Sequence, residues 1–577
     1  MLKKTVLVAL TLFIIIFIGG AVYYFLFMPN STVVPAFAEG KLNLVIEGEL
    51  IDSMNQPRMV DNEILLPLAV IKEYIDTDIY WDEILQKVTI TTKDSVIRMK
   101  TDSLDAFVNN KAITLDIPVS ESGGIIYVPI EFLSDFYNIE IAYLKANNII
   151  VIDFKNSIRQ LAEPISANAV VRRGPSVKYP IIRKFDLNDT EDGSIRIFEE
   201  YEKWYKVRTT DGAVGYIEKR FVVVRRMMVT GVAAKEDNNG AAWKPLKGKV
   251  NLVWDQIWSE RTVLPKTEFM EGLDVVSPTW LQVKNAEGKL INRTDAIYVE
   301  WAHMNGYKVW ALLANDFNNV PMTKKLLNST DARDTLIRDV LAYAALYKLD
   351  GINIDFENLD DGDRDALTQL VREMTPLLRE QGLIVTINVN LFPCYDTKAL
   401  AETVDYVMLM AYDQHWKGGS EAGSVAQVAW VESIINRFLQ TIPKEKLLLG
   451  LPFYTRVWEE KSDGKGGMNL SSKALSMQSV REIILQNNAP VKWDEESGQF
   501  YSEFTIDKSL YKVWIEDANS INLKLALVQK YKLGGAASWS KNFAVPEIWG
   551  VLNRNLKVIN NYQEWKLQND GRVLAYN

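Results

Sequence analysis

Residues 349–357 read LDGINIDFE. Three acidic groups, Asp350, Asp355 and Glu357, stand in a run that otherwise has the make-up of a buried strand. Asp and Glu are almost never fully buried unless they are paired or at work. Side chains two apart on a strand share a face. Asn353, Asp355 and Glu357 therefore fall on one side, and Ile352, Ile354 and Phe356 on the other. Such a strand suits a sheet with one polar side and one side packed against helices.

The surrounding sequence supplies those helices. Apolar strand patterns recur at 249–257, 273–281, 308–316, 349–357, 383–390, 405–413, 446–454 and 534–540. Amphipathic helical patterns lie between several of them. Residues 330–347 place Leu336, Val340, Leu341 and Ala344 on one face; 364–380 do the same with Leu367, Leu370, Val371, Met374 and Leu378. Eight strands alternating with helices in about 300 residues predict a TIM (β/α)8 barrel over 245–553. The polar face of the fourth strand then points into the barrel mouth. Glu357 sits at its C-terminal rim, where barrel active sites lie. The gap before the last strand is long, and 491–504 predict an inserted hairpin. The tail, 554–577, carries no pattern of its own.

Further domains precede the barrel, as a chain of 577 residues requires. Residues 60–92 align without a gap to 122–154, with Pro67 against Pro129 and Trp81 against Tyr143. Each copy reads as strand, Pro-started helix, strand, turn, strand, which predicts a duplicated α+β domain over 40–158. It resembles the copper amine oxidase N-terminal-like domain, although no His lies in it. Residues 163–226 show short strands with a tight-turn pair at Asp211-Gly212. Val171-Arg172, Gly174-Pro175, Trp204-Tyr205 and Gly215-Tyr216 make this small all-β segment resemble a bacterial SH3-like domain. In exported proteins that resemblance implies a peptidoglycan-binding module or a spacer.

The N-terminus is Met-Leu-Lys-Lys followed by an uncharged apolar run over 5–27. Its length predicts one transmembrane helix within 1–28, with Lys3 and Lys4 on the cytoplasmic side and the body exported. The expected location is thus the cell membrane, single-pass, with the catalytic domain extracellular. The rival is a signal peptide cleaved after Ala38, at Ala36-x-Ala38, which would release the protein.

Composition excludes several chemistries. Net charge is −9, and no basic run follows Lys3-Lys4, which argues against nucleic acid as a partner. There is one cysteine, Cys394, which reads as a small packed residue, and there are two histidines, His303 and His415. A zinc site of the usual kind and a Ser-His-Asp triad are both poorly supplied. A two-carboxylate metal site on the fourth strand would find mainly Asp413 as a further ligand. No metal or cofactor is implied, and catalysis is expected to run on carboxylates. Aromatic residues are 11% with 16 Trp, compatible with sugar binding or with packing.

Residues 350–357, Asp-Gly-Ile-Asn-Ile-Asp-Phe-Glu, resemble the D-x-x-D-x-D-x-E marker of glycoside hydrolase family 18, the chitinase family. The likeness continues at Met410-Ala411-Tyr412-Asp413, at Gly450-Leu451-Pro452-Phe453-Tyr454-Thr455-Arg456 and at Trp539. The resemblance implies substrate-assisted retaining hydrolysis, in which the substrate's own acetamido oxygen attacks the anomeric carbon. It implies Glu357 as general acid and then base, and Asp355 as the group orienting the acetamido N–H. It implies Tyr412 as a donor to the acetamido carbonyl, Asp413 as a sugar contact and Trp539 as the apolar floor. Asp350 and Asn353 complete the catalytic motif; Met410, Tyr454 and Arg456 join the substrate-binding set. Many chitinases carry Asp where Asn353 stands. Asn353 is expected to hydrogen-bond Asp355 without titrating.

His415, on a rim loop beside Trp416, is a candidate substrate contact or a plain loop residue. Trp254, Trp280 and Trp458 are either groove-lining or packing. The expected partner is a polysaccharide of N-acetylated amino sugars, peptidoglycan favoured and chitin the alternative. Rivals from other classes are a non-catalytic, lectin-like sugar binder, and a structural wall or spore-assembly protein.

Overall fold

The structure is a computed structural model. It describes all residues except 1, 53, 55, 187–193, 230–244, 258–268, 463–466, 571–575 and 577. The chain forms two compact units. One holds residues 1–81, 86–90 and 97–239, and the other 82–85, 91–96 and 240–577.

The second unit contains the expected barrel. Its strands are β1 (Val250–Asp255), β2 (Val275–Pro278), β3 (Lys308–Ala314), β4 (Gly351–Asp355), β5 (Ile384–Val389), β6 (Tyr406–Leu409), β7 (Leu447–Pro452) and β8 (Gly535–Trp539). Consecutive strands pair in parallel, β2 pairs with β3, and β1 pairs with β8, so the sheet closes on itself. The alternation read from β4 holds. Ile352, Ile354 and Phe356 are fully buried in the shell between strands and helices. A separate cluster fills the barrel interior, with Val250, Leu252, Trp254, Trp310, Leu312, Tyr406, Met408 and Leu448. Gly351 belongs to that tight interior. A Cβ there would lie 2.6 Å from the Ile384 carbonyl and 2.7 Å from the Trp310 ring.

Two excursions shape the mouth. After β2, an antiparallel hairpin of Leu281–Val283 and Leu290–Asn292 lies along the end of β3. Between β7 and β8 the expected hairpin is only part of a larger insertion. Five antiparallel strands, Tyr454–Ser462, Met468–Ser476, Val491–Asp494, Gln499–Ile506 and Ser509–Ile515, form one sheet, and the helix Met477–Gln486 packs on it. Strand Tyr454–Ser462 hides in the sequence because it follows β7 after one residue, Phe453, so two strands read as one apolar run.

In the first unit the two repeats meet through their equivalent strands, Glu63–Pro67 and Ile125–Pro129, paired antiparallel. The first repeat has its Pro-started helix at Leu68–Tyr74. The second does not, which corrects the expectation. Residues 131–138 form consecutive turns, with i→i−3 bonds such as Leu133 N–H to the Ile130 carbonyl at 3.0 Å. The reason is composition: EFLSDFYN is richer in aromatics, Ser, Asp and Asn than LAVIKEY, and helix propensity falls accordingly. The small all-β segment is a seven-stranded antiparallel sheet over Ile158–Val229. The predicted turn at Asp211-Gly212 joins two of its strands, Trp204–Arg208 and Val214–Glu218.

The N-terminal apolar run is helical, Leu2–Phe27. The expected transmembrane span is nevertheless overturned. Among the described residues, no helix is long and apolar enough to cross a membrane. The membrane localisation, the membrane partner and the extracellular placement drawn from that span are withdrawn with it.

Candidate active site

The carboxylates of β4 end in a cavity of about 480 Å³ at the barrel mouth. Its lining includes Asp355, Glu357, Asn388, Met410, Tyr412, Asp413 and Trp539, together with Gln256, Thr279, Gln282, Arg293 and Phe317. β4 ends at Asp355, and Glu357 stands two residues beyond it. Its backbone is held by Asn315, whose side chain accepts from the Glu357 N–H at 2.9 Å and donates to the Glu357 carbonyl at 2.9 Å. The Tyr395 hydroxyl donates to the Phe356 carbonyl at 2.8 Å. The next residue, Asn358, has φ 54°, so the chain turns sharply away and leaves the Glu357 side chain at the rim.

Asp355 is buried, and its Oδ1 accepts one hydrogen bond, from the Asn388 amide at 2.9 Å. Burial pushes its carboxyl up to about 6 against that stabilising bond. Glu357 is pushed up to about 8, by burial first and then by the negative charges of Asp355 and Asp413. The Glu357 carboxyl accepts no hydrogen bond among the described residues. Burial and the same anions hold the Tyr412 hydroxyl well above its ordinary range, so it stays a donor. That hydroxyl, too, has no hydrogen-bond partner among the described residues. Asp413, at φ 57°, is already engaged: Tyr454 Oη donates to Oδ1 at 2.6 Å and Arg456 Nη2 lies 3.2 Å from the same atom.

Asn353 departs from expectation. It does not bond Asp355 directly. Its Nδ2 donates to Asn388 Oδ1 at 2.8 Å and to Thr386 Oγ1 at 3.0 Å, while its Oδ1 accepts from the Trp254 indole at 2.8 Å. A directed chain thus runs from Trp254 through Asn353 and Asn388 to Asp355. Asn388 sits on β5 beside β4, and the relay works because two primary amides each offer a donor and an acceptor.

The structure therefore gathers Asp355, Glu357, Tyr412, Asp413, Trp539 and Met410 around one cavity, with Tyr454 and Arg456 fixing Asp413 from behind. It does not bring Asp350 there. Asp350 precedes β4 at its N-terminal end, where its carboxylate meets His303 Nε2 at 2.8 Å, Lys308 Nζ at 2.8 Å and the Val309 N–H at 2.9 Å. His415 also stays out of the lining; its Nδ1 lies 2.8 Å from the Ser424 carbonyl. Trp254, Trp280 and Trp458 are all buried, so none offers a ring to the cleft. Sequence reading missed Asn315, Asn388, Gln282 and Arg293. Asn388 alone carried a usable signal: it is a polar residue in the apolar run IVTINV, in register for the inner face.

Three family models match this chain: glycosyl hydrolases family 18 over 303–543, the copper amine oxidase N-terminal domain over 45–152 and the bacterial SH3 domain over 166–222. The cortical fragment-lytic enzyme of Bacillus subtilis (strain 168) is 27% identical over 245 residues, covering 41% of this chain and 56% of that protein. Di-N-acetylchitobiase of Rattus norvegicus is 26% identical over 317 residues, covering 48% and 84%. This chain thus spans little more than half the length of the cortical fragment-lytic relative. A C-terminal domain from Desulfitobacterium hafniense DCB-2, described as that of a chitinase, superposes with a TM-score of 0.50 at 24% identity, covering 54% of this chain and all of that one. That last likeness bears on the fold alone.

Proposed function

We propose, from the premise that the barrel of this chain belongs to glycosyl hydrolases family 18, that it hydrolyses the β-1,4 bond following an N-acetylated amino sugar in peptidoglycan. The observation that carries this reading is the state of three groups facing one cavity. The Glu357 carboxyl and the Tyr412 hydroxyl are unpartnered among the described residues, and Asp355 spends one oxygen on Asn388 while the other is uncommitted.

Each vacancy matches a need of substrate-assisted hydrolysis. Glu357, protonated at neutral pH, gives its proton to the leaving oxygen as the glycosidic bond breaks. The acetamido oxygen closes on the anomeric carbon with retention after the second step. Asp355 accepts the acetamido N–H and balances the positive charge on the ring so formed. Tyr412 donates to the acetamido oxygen and holds it in line. Glu357, now ionised, takes a proton from the water that opens the ring. Trp539, beneath the sugar, supplies an apolar face.

Peptidoglycan is preferred to chitin because the chain also carries a bacterial SH3 domain, and because one relative is named for lysis of cortical fragments. The test uses the full chain and its Glu357→Gln variant on purified peptidoglycan and on N-acetylglucosamine oligosaccharides, with products read by mass spectrometry. Muropeptides ending in reducing N-acetylglucosamine, absent with Glu357→Gln, are the expected result. Cleavage of the oligosaccharides alone would keep the mechanism and overturn the polymer. Sugar binding without any cleavage would favour a lectin.

A further inference from the structure

Two cations at the barrel mouth are paired with carboxylates, and among the described residues a third is not. Arg456 is matched with Asp413 at 3.2 Å, and Lys541 with the buried Asp255 at 2.6 Å. Arg293 lines the same cavity as Asp355 and Glu357, yet among the described residues no carboxylate pairs with it. Among the described residues its guanidinium makes two long contacts, both 3.5 Å, to Oε1 of Gln282.

Its position is built, not accidental. Gln282 lies in the hairpin after β2, in register with Ala314 at the end of β3. The Arg293 N–H donates to the Trp280 carbonyl at 3.0 Å, which ties the return strand to the start of the hairpin. The nearest acid in sequence, Asp295, is occupied elsewhere. Its Oδ1 caps the helix Ala296–Met304 by accepting from the Ile297 N–H at 2.9 Å and the Tyr298 N–H at 3.4 Å. A half-buried guanidinium that lines a cleft, with no carboxylate paired to it among the described residues, is a fork for a planar anion that arrives with the ligand.

We infer that Arg293, steadied by Gln282, is a specificity-determining contact that receives a carboxylate on the glycan, so the cleft selects chains whose sugars bear an ether-linked carboxylic acid. The inference rests on the peptidoglycan reading above and applies to strands from which the stem peptide has been cut, because only there does the lactyl ether of the alternate sugar end in a free carboxylate and not in an amide. A neutral N-acetylglucosamine chain has nothing to offer the fork.

The test measures binding by calorimetry with the full-length Glu357→Gln protein. The probes are one lactyl-bearing tetrasaccharide with free carboxylates and the same tetrasaccharide capped as primary amides. The free acid should bind about tenfold tighter or more. The gap should close when Arg293→Gln is added, and shrink in about 0.5 M salt. Equal affinity for the two probes would overturn the inference without any reference to the variant. A gap that survives Arg293→Gln would overturn it as well, and Arg293→Lys should retain part of the preference as a point charge without the fork. Hydrolysis of both probes by the unsubstituted protein is scored apart. Absence of cleavage would sink the glycosidase reading while leaving the binding comparison legible.

Discussion

At the scale of the residue, the site turns on where protons sit. Glu357 is held up to about 8 and Asp355 up to about 6, so a window opens in which the first is protonated while the second is ionised. Activity should therefore be bell-shaped, falling below about pH 6 as Asp355 gains a proton and above about pH 8 as Glu357 loses one. A kcat/KM profile on a soluble oligosaccharide checks this; a flat profile across that range would refute the pairing. Glu357→Gln should lower kcat by between about a hundredfold and ten-thousandfold. Stability should move the other way. The native state keeps a proton on Glu357 that the unfolded chain releases near its ordinary value of 4.5, so ionisation costs stability as pH rises toward 8. Thermal melts should show Glu357→Gln stabilising more at pH 9 than at pH 5. Asn388→Ala should shift the acid limb upward, because it removes the one hydrogen bond that favours ionised Asp355. Much of this was legible in LDGINIDFE, since period-two spacing alone puts Asp355 and Glu357 on one face. The role of Asp350 was not, because the same spacing rule says nothing of a residue that precedes the strand. Nor was the relay through Asn388, which depends on the register between β4 and β5.

At the scale of the element, the barrel helices are joined by more than apolar contact. Arg333 on the helix Thr330–Tyr347 and Glu373 on the helix Arg364–Glu380 are both fully buried, and form a two-pronged pair at 2.8 and 2.9 Å. Gln369 donates to Glu373, and the Leu327 carbonyl and Thr330 hydroxyl accept from Arg333. Glu373→Ala would strand the guanidinium and should cost about 3–5 kcal/mol in denaturant unfolding, whereas replacing both partners by apolar residues of similar size should cost far less. A single-variant cost below about 1 kcal/mol would show that water reaches the pair. Helical faces were easy to read here because Leu336, Val340, Leu367 and Leu370 repeat at the right spacing. Elements without such periodicity were not. The insertion after β7 was read as one hairpin because its first strand follows β7 after one residue. The second repeat was read as helical because Pro129 matches Pro67, although a shared first residue does not carry the propensity of the seven that follow.

At the scale of the whole molecule, domains read as contiguous blocks proved less tidy in the first unit. The segment 29–37 belongs to no expected domain, yet it docks on the edge strand Ile181–Lys184 of the small all-β sheet. Val33 bridges Ile181 in parallel, the Val34 N–H donates to the Ile181 carbonyl at 2.9 Å, and the Ile181 N–H donates to Thr32 at 2.9 Å. Val34 and Ala36 pack on that sheet's core, and Arg172 Nη1 donates to the Asn30 carbonyl at 2.7 Å. Sequence could not show this, because NSTVVPAF is too short to bear a period and its partner lies some 150 residues on. The consequence separates two starting points that composition treats alike. A chain beginning at residue 40 loses the docked segment; a chain beginning at residue 29 keeps it. The first should lose about 1–3 kcal/mol from the unfolding of this unit, the worth of a half-buried Val with part of an Ala and a few hydrogen bonds. Hydrolysis by the barrel should be equal in the two. Identical melting of the two chains would mean that the segment only rests on the sheet. Loss of hydrolysis in the shorter one would mean that it serves the barrel instead.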